Sequence, residues 1–574
     1  MEKQKNKNPK STTTNPLFLN SIIVLLTLIF CIGTFKNISY PLLWNDESET
    51  LVTAEKILEF GYPKVHDGKN IIYLPVDSTW IGYKKSNDSN VSMPWGTYYF
   101  ATIGAALSHY AKDLYLKTAL TRIPFAIMGV IGLIIFAASL SGFFSDKRTY
   151  QKFIIAFIII ELFSVILLLH LREARYYSLV IFTTSLFFHV VIQYFFHGNY
   201  SFKKYLLSMT LILFIAYQIN VVCFSAGCAS LGIYEFVCRL YSYLSANEKN
   251  RSVWEEIKTL FKNTSPVLTS VILLAPFTIL YDTFSTASRA NSYAGMTTEQ
   301  YFSAFNHIID VIKMHEFFYP AFFVKCVQLI AWYITYKQNK KGAVQEYKME
   351  RLSLLMTIFF ILFCLITAKL PVVLFTRYFI VLQPILVLIM LLDLVSILKY
   401  ISSHMKSTVG TITKLAMLVI LVRLVAINMG EKINYEKKYI YQITHQLKGP
   451  LDYIIPYIAE NYKNTENLVL ATNYEELSYI FYLNCKVTLG FMNKNLSEDL
   501  KYQPDVMVYR KKWGQNPEYF NQFIQKAKYK KISFPVFDSP VNNIAELNGA
   551  IEHQFKTRLA ENDNDKMDIL VREQ

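Results

Sequence analysis

The chain has 574 residues, of which 53% are hydrophobic and only 18% charged, and its mean hydropathy is +0.25. A soluble chain carries about a quarter charged residues, so this composition excludes an ordinary soluble enzyme and points to a membrane bundle. The net charge of +15 does not argue for nucleic acid, because the surplus Lys and Arg sit in loops between long apolar runs.

The polar, basic stretch 1–15 reads as a disordered cytoplasmic tail. The apolar run from Pro16 to Phe35 spans a bilayer, which needs ~20 residues, and no small-residue cleavage site follows it. It reads as a retained span. Ten more apolar spans follow near 120–142, 153–170, 176–196, 204–220, 221–243, 265–281, 317–336, 352–369, 378–398 and 412–428. Basic residues mark alternate loops: Lys147 and Arg148, Lys203 and Lys204, Lys249 to Lys262, Lys337 to Arg351, and Lys399 to Lys414. The positive-inside rule puts those loops in the cytoplasm. The segment 36–119, the turn around Leu171 to Tyr177, the loop 282–316, the turn 370–377 and the tail after Met429 then lie outside.

The expected fold is an all-α polytopic bundle over 16–428, with a soluble α/β domain over 429–574. In that domain Asn467 to Ala471 and Pro504 to Tyr509 read as strands, and Pro517 to Ala527 as a helix. There is no C-x-x-C, no Cys/His set at zinc spacing and no Gly-rich phosphate loop. Six of the seven cysteines fall in apolar spans and read as small core residues; Cys485 stands alone in the tail.

Chemistry concentrates in the external segments. The first opens Leu43-Trp44-Asn45-Asp46-Glu47-Ser48-Glu49 and continues as a helix with Leu51, Ala54, Ile57 and Leu58 on one face, ending at Gly61 and Pro63. Asp46 with Glu49 fits a capping box, which would make Asp46 a backbone cap. A carboxylate just outside a span is also well placed as a general base. The second site is Leu171-Arg172-Glu173-Ala174-Arg175-Tyr176-Tyr177, with two Arg on the face that disfavours them. An ion pair with Glu173, or snorkelling, is the bland alternative. The third is Phe375-Thr376-Arg377-Tyr378, and Arg122 lies at the external end of the second span. A planar guanidinium clamps phosphate through paired hydrogen bonds. Arg122, Arg172, Arg175 and Arg377 are therefore the candidate phosphate ligands, and Asp46 and Glu47 the candidate catalytic acids. Tyr176, Tyr378 and His66, which is followed by Asp67, are candidates for the sugar or acceptor. Glu161 is an intramembrane carboxylate, and Asn37, Asn87 and Asn90 open Asn-x-Ser sequences.

Asp46-Glu47, Arg122-Ile123-Pro124, Arg172 to Leu179 and Arg377-Tyr378 occur in an order that resembles the GT-C superfamily of polyprenyl-phosphate-sugar glycosyltransferases. That superfamily includes protein O-mannosyltransferases, lipid A aminoarabinose transferases and rhizobial lipopolysaccharide glycosyltransferases. The resemblance covers about residues 16–400. It implies a helical bundle with helices lying along the membrane in the first external loop, and a sugar donor carried on polyprenyl phosphate. It implies Asp46 as catalytic base, Glu47 as the adjacent acid, and external Arg holding the lipid phosphate. Met93 to Tyr99 stands where many relatives carry Pro-Pro-Leu or His-Pro. The expected activity is inverting transfer to an extracytoplasmic hydroxyl of a cell-envelope glycan, lipid A or protein, at the cytoplasmic membrane. No cofactor is required, although the superfamily admits a divalent metal. The expected partners are donor, acceptor and membrane lipids, with no nucleic acid. The rival reading is a lipid-linked-glycan transporter or flippase, which calls for two halves of similar hydropathy that are not found.

Overall fold

The computed structural model describes residues 16–72, 83–245, 252–281, 297–315, 317–338, 347–369, 375–427, 429–489, 496–511, 518–538 and 557–573. The tail 1–15, residues 73–82, residues 282–296 and 316 of the loop 282–316, residues 370–374 of the turn 370–377, and Pro517 lie outside them.

Among the described residues ten helices are long and apolar enough to cross a membrane: α1 (Pro16–Phe35), α4 (Leu114–Ser139), α7 (Tyr177–Val191, continued by a π turn to Phe196), α8 (Phe202–Ile219), α9 (Val221–Ser245), α10 (Val253–Leu280), α12 (Phe318–Gln338), α13 (Lys348–Thr367), α14 (Leu382–His404) and α15 (Ser407–Ala426); α11 (Thr298–His315) lies in the chain between α10 and α12. The chain is therefore a multi-pass membrane protein. The eleventh expected span differs. It is two helices, α5 (Lys147–Leu162) and α6 (Val165–Leu171), bent by 80° at the break. Phe163 ends α5, and the Ser164 hydroxyl caps α6 by accepting from Leu167 N–H at 3.4 Å. The short α6 delivers the Arg172 to Tyr176 turn to the same end of the bundle as the first external segment.

Two helices and a short antiparallel ribbon, β1 (Tyr83–Lys84) with β2 (Ser89–Asn90), build that segment. The first, α2 (Asn45–Phe60), buries Leu51, Val52, Ala54 and Ile57, whereas Leu58 is exposed. It stops at Gly61, whose φ of +82° is the left-handed conformation glycine adopts without strain. The second, α3 (Gly96–Ser108), packs on α2 and α4. Gly104 permits this approach, since a Cβ there would sit 2.9 Å from the Thr121 carbonyl oxygen.

After the bundle, α16 (Met429–Thr444) and α17 (Leu451–Asn461) lead into a mixed five-stranded sheet. Strand β3 (Val469–Thr472) is parallel to β4 (Lys486–Thr488) on one side and to β5 (Val506–Val508) on the other. Strand β7 (Lys566–Arg572) runs antiparallel between β5 and β6 (Tyr529–Phe537). Both strands expected from sequence are present, and the expected helix near its end spans Glu518–Ile524. The helix after β3, α18 (Glu476–Leu483), docks on α2. Ser48 and Ser478 hydroxyls meet at 3.0 Å, Ser478 Oγ donates to the Leu43 carbonyl at 3.0 Å, and Leu43 N–H donates to Tyr482 Oη at 3.0 Å. The sheet domain is thereby seated on the first external segment.

Small residues permit close helix contacts in the bundle. A Cβ on Gly132 of α4 would lie 2.9 Å from the backbone N and Cα of Phe182 in α7. Helices in lipid gain little from the hydrophobic effect and depend on such close approach. Gly132→Val should destabilise the bundle by about 1–3 kcal/mol, the usual penalty for overpacking. A thermal melt of the detergent-purified protein lowered by the substitution is the expected outcome; an unchanged melt would remove Gly132 as a packing determinant.

Candidate active site

Three carboxylates enter on the first turns of α2, and each meets a different environment. Glu47 is sealed, with a side-chain exposure of 0%. Arg122 Nε donates to its Oε1 at 2.8 Å and Arg122 Nη2 to its Oε2 at 2.6 Å, a paired fork. Ala174 N–H adds a third bond to Oε1 at 2.9 Å. Arg122 Nη1 donates to the carbonyls of Ile38 and Pro41 at 2.9 and 2.8 Å. Glu49 is also buried, taking Arg175 Nη1 at 3.0 Å and Tyr98 Oη at 2.8 Å.

Asp46 is different. Its carboxylate stays 22% exposed, with Arg175 Nη2 at 3.9 Å and Arg377 Nη2 at 4.0 Å from Oδ2. Both distances exceed hydrogen-bond range, so the two cations flank the oxygen without capturing it. Burial pushes the Asp46 carboxyl above its ordinary range, and Arg175 and Arg377 pull against that shift. The expected capping box does not form. Trp44 is the N-cap, in an extended conformation and with no side-chain cap bond, while Glu49 is turned to Arg175 and Tyr98. The helix start places Asp46 but does not use its oxygens.

The Arg residues also separate by environment. Arg175 Nη1 is fixed by the Asp46 carbonyl at 2.8 Å, Glu49 Oε2 at 3.0 Å and Thr50 Oγ1 at 3.0 Å. Arg172 reaches the carbonyls of Lys36 and Asn37 and faces Tyr439 of α16. Arg377 lies in a single turn, Thr376–Phe379, just before α14. Its guanidinium carbon stacks 3.9 Å from the Phe375 ring centre and 5.1 Å from that of Trp44. Glu173 faces His170 at 3.2 Å, just beyond the end of α6.

Tyr176 shares the electrostatic surroundings of Tyr378, Arg175, Arg377 and Asp46, and burial raises its phenol. These five residues therefore cluster. His66 lies elsewhere. It pairs with Asp88 at 2.5 Å and lines a cavity of about 230 Å³ between the first external segment and the sheet domain, with Lys69, Glu476 and Tyr502. The Asn-x-Ser sequences do not offer three free amides: Asn90 is buried, and the Asn37 amide donates to the Gln442 carbonyl at 2.9 Å.

Sequence reasoning passed over Glu49, Tyr98, Trp44 and Tyr474. Glu49 was visible only as a capping partner, and Tyr98 only as part of Met93 to Tyr99. Tyr474 follows β3 and comes within the electrostatic reach of Asp46, a contact that no sequence pattern signals. The buried Trp44 indole N–H has no hydrogen-bond partner among the described residues. Next to Arg377, a narrow cleft between Ile166, Val311, Phe379 and Leu386 leads into the bundle. Among the described residues no three His, Cys, Asp or Glu side chains converge as metal ligands. Glu47 and Glu49 already face guanidinium groups, so this acidic cluster does not fit a divalent metal.

The sequence matches no protein-family profile, and no curated protein matches it. Among solved structures it is similar to ArnT from Cupriavidus metallidurans in the apo state, at 9% identity and a TM-score of 0.49, over 96% of this chain and 97% of that one. It is also similar to the same protein bound to undecaprenyl phosphate, at 10% identity and a TM-score of 0.46, over the same shares.

The contrast between the carboxylates predicts opposite variants. Glu47→Ala leaves Arg122 buried without its charge partner, a loss that typically costs 3–5 kcal/mol, and should sharply lower the melting temperature or the yield of folded protein. Asp46→Asn removes only long contacts and should leave the melt within about a degree or two of wild type, since such changes are usually within 0.5 kcal/mol. Equal losses in the two variants would contradict the assignment of Glu47 as the structural member.

Proposed function

We propose that this chain is a GT-C-type glycosyltransferase that moves a sugar from a polyprenyl-phosphate donor to an acceptor hydroxyl on the extracytoplasmic side of the membrane, with inversion. The observation that carries this reading is the open edge of Asp46 between Arg175 and Arg377, while Glu47 and Glu49 are sealed. A base has to reach a substrate proton, and among the three acids of α2 the geometry favours Asp46.

In this reaction Asp46 takes the proton of the acceptor hydroxyl. The acceptor oxygen bonds to the anomeric carbon as the bond from that carbon to the phosphate oxygen breaks. The polyprenyl phosphate leaves with the electron pair. Arg377 and Arg175 meet the charge that grows on it; removal of one such donor typically costs roughly 3 kcal/mol of transition-state stabilisation. Trp44 backs Arg377 and offers its indole N–H. Tyr176 and Tyr378 line the sugar's position. Glu47 and Arg122 act as positioning residues that hold α2 against the Arg172 to Tyr176 turn, and Arg172 anchors that turn to the end of α1. His66 does not share a cavity with Asp46 and is left to an outer part of the acceptor. The side of the membrane follows from the basic loops, and the cytoplasmic membrane of a bacterium is the proposed location.

The test is transfer from a radiolabelled polyprenyl-phosphate-sugar in membranes with matched protein levels. Asp46→Asn should lower turnover by about 10²–10⁴, the usual contribution of a general base. Arg377→Ala should lower it by about 10²–10³, with partial recovery in Arg377→Lys. Full turnover in Asp46→Asn would move the base elsewhere. If wild type consumes no donor but carries it across vesicles, the transport reading replaces this one.

The raised carboxyl of Asp46 also sets the sign of the pH response. A higher pKa protonates the base at a higher pH, so turnover should fall on acidification through a midpoint above the ordinary aspartate value of ~3.9. In Arg377→Ala one of the groups pulling that carboxyl down is lost, so the midpoint should move further up. A midpoint unmoved by Arg377→Ala would separate that Arg from the base.

A further inference from the structure

At the end of the bundle opposite Asp46, the ends of α12, α13 and α14 and the turn after α4 enclose a cavity of about 450 Å³. It lies a full helix away from Arg377, since α14 starts just after that residue and its 23 residues rise roughly 35 Å. Three kinds of group line it. Lys348 and Lys399 stand at its rim as cations. Trp332, Tyr347, Tyr400 and Phe143 supply aromatic walls. Glu350 faces inward and is held by a hydrogen bond from the Ser396 hydroxyl.

An ion pair outside the lining holds the same three helices together. Lys325 of α12 meets Asp393 of α14 at 2.9 Å and Ser353 of α13 at 2.8 Å. That pair is satisfied by itself, and Glu350 is the acidic side chain among the described residues that line the cavity. Ionisable groups at this depth are costly to bury and mark sites when they are not already paired.

The surroundings point to a lipid rather than a soluble ligand. On α12, Ile330 is 60% exposed and Tyr333 63% exposed, so this helix turns an apolar face outward beside the cavity. Trp and Tyr gather at the depth of lipid head groups. A phosphate suits the lysine rim, and basic pockets between helix ends on the cytoplasmic side bind phospholipid heads. An ammonium suits Glu350 together with aromatic faces. A head group that carries both charges, as phosphoethanolamine does, matches the whole set.

We propose that this cavity, with Glu350 facing the ammonium and Lys348 and Lys399 facing the phosphate, is a binding site for phosphatidylethanolamine on the face opposite the reaction site. The site does not depend on the glycosyltransferase reading. It gives the bundle a lipid seat on the side where α12, α13 and α14 are held together by charge.

The test uses the full chain in detergent with an equimolar mixture of phosphatidylethanolamine, phosphatidylglycerol and phosphatidylcholine of matched acyl chains, and counts retained lipids by native mass spectrometry. Wild type should retain phosphatidylethanolamine about tenfold over the other two, a preference of about 1.4 kcal/mol. Glu350→Gln keeps a hydrogen-bond acceptor for Ser396 and should erase the preference over phosphatidylglycerol. Lys348→Ala with Lys399→Ala should lower retention of phosphatidylethanolamine by a similar factor. Equal retention of the three lipids by wild type overturns the proposal, as does a preference over phosphatidylglycerol that Glu350→Gln leaves unchanged. Displacement of the lipid by soluble phosphoethanolamine at low millimolar concentration would assign the site to a soluble ligand instead.

Discussion

The end of the bundle that carries Asp46 depends on the buried fork between Glu47 and Arg122. A carboxylate and a guanidinium at a membrane surface, both removed from water, hold only if nearly every polar atom is answered. Here the carboxylate takes both arms of the fork and the Ala174 N–H, and the guanidinium reaches two carbonyls of the segment before α2. One pair therefore ties together α2, α4, the chain that joins α1 to α2, and the turn between α6 and α7. Everything near Asp46 is positioned from that junction.

The same junction explains why neighbouring acids differ so much. Successive residues on a helix point about 100° apart. Glu47 turns into the bundle toward α4, Glu49 turns toward Arg175 and Tyr98, and Asp46 is left facing the space between Arg175 and Arg377. In the proposed reaction, stability and reactivity are thus divided among adjacent residues of one helix: the acids with full sets of partners hold the structure, and the one with long contacts is the proposed base. Arg175 links the two roles, because the arm that fixes it to Glu49 also orients its other arm toward Asp46.

The sheet domain contributes to the same place. The loop after β3 carries Tyr474 into the surroundings of Asp46, and α18 closes on α2 through Ser478 and Tyr482. Ligand crevices in sheets with parallel strands open at the carboxyl ends of those strands. In this chain that edge, after β3 and β5, is tightened by Arg510, whose buried guanidinium bridges Glu475 and Asp538. Glu475 takes a left-handed backbone conformation, with φ at +61°. Non-glycine residues hold that conformation only when their surroundings impose it. The charge pair with Arg510 is the visible restraint.

The sequence alone determined the bundle, because a run of ~20 apolar residues has few other ways to satisfy its backbone. Ten of the expected spans are single helices, and strand runs as short as Val506 to Val508 were legible from their flanking turn residues. The sequence also singled out Arg175 and Arg377, because Arg in loops that the positive-inside rule would leave free of it stands out, and Asp46 and Tyr176 through the motifs that flank them. It did not separate roles among them. Glu47 and Asp46 are adjacent acids and Arg122 and Arg377 are both external cations; only the packing of α4 against α2 decided which were consumed by each other. The 80° break after Leu162 likewise has no Pro or Gly to announce it, and it arises where Ser164 starts a new helix. Partner choice depends on distance in space, and residues 47 and 122 are 75 positions apart in the chain.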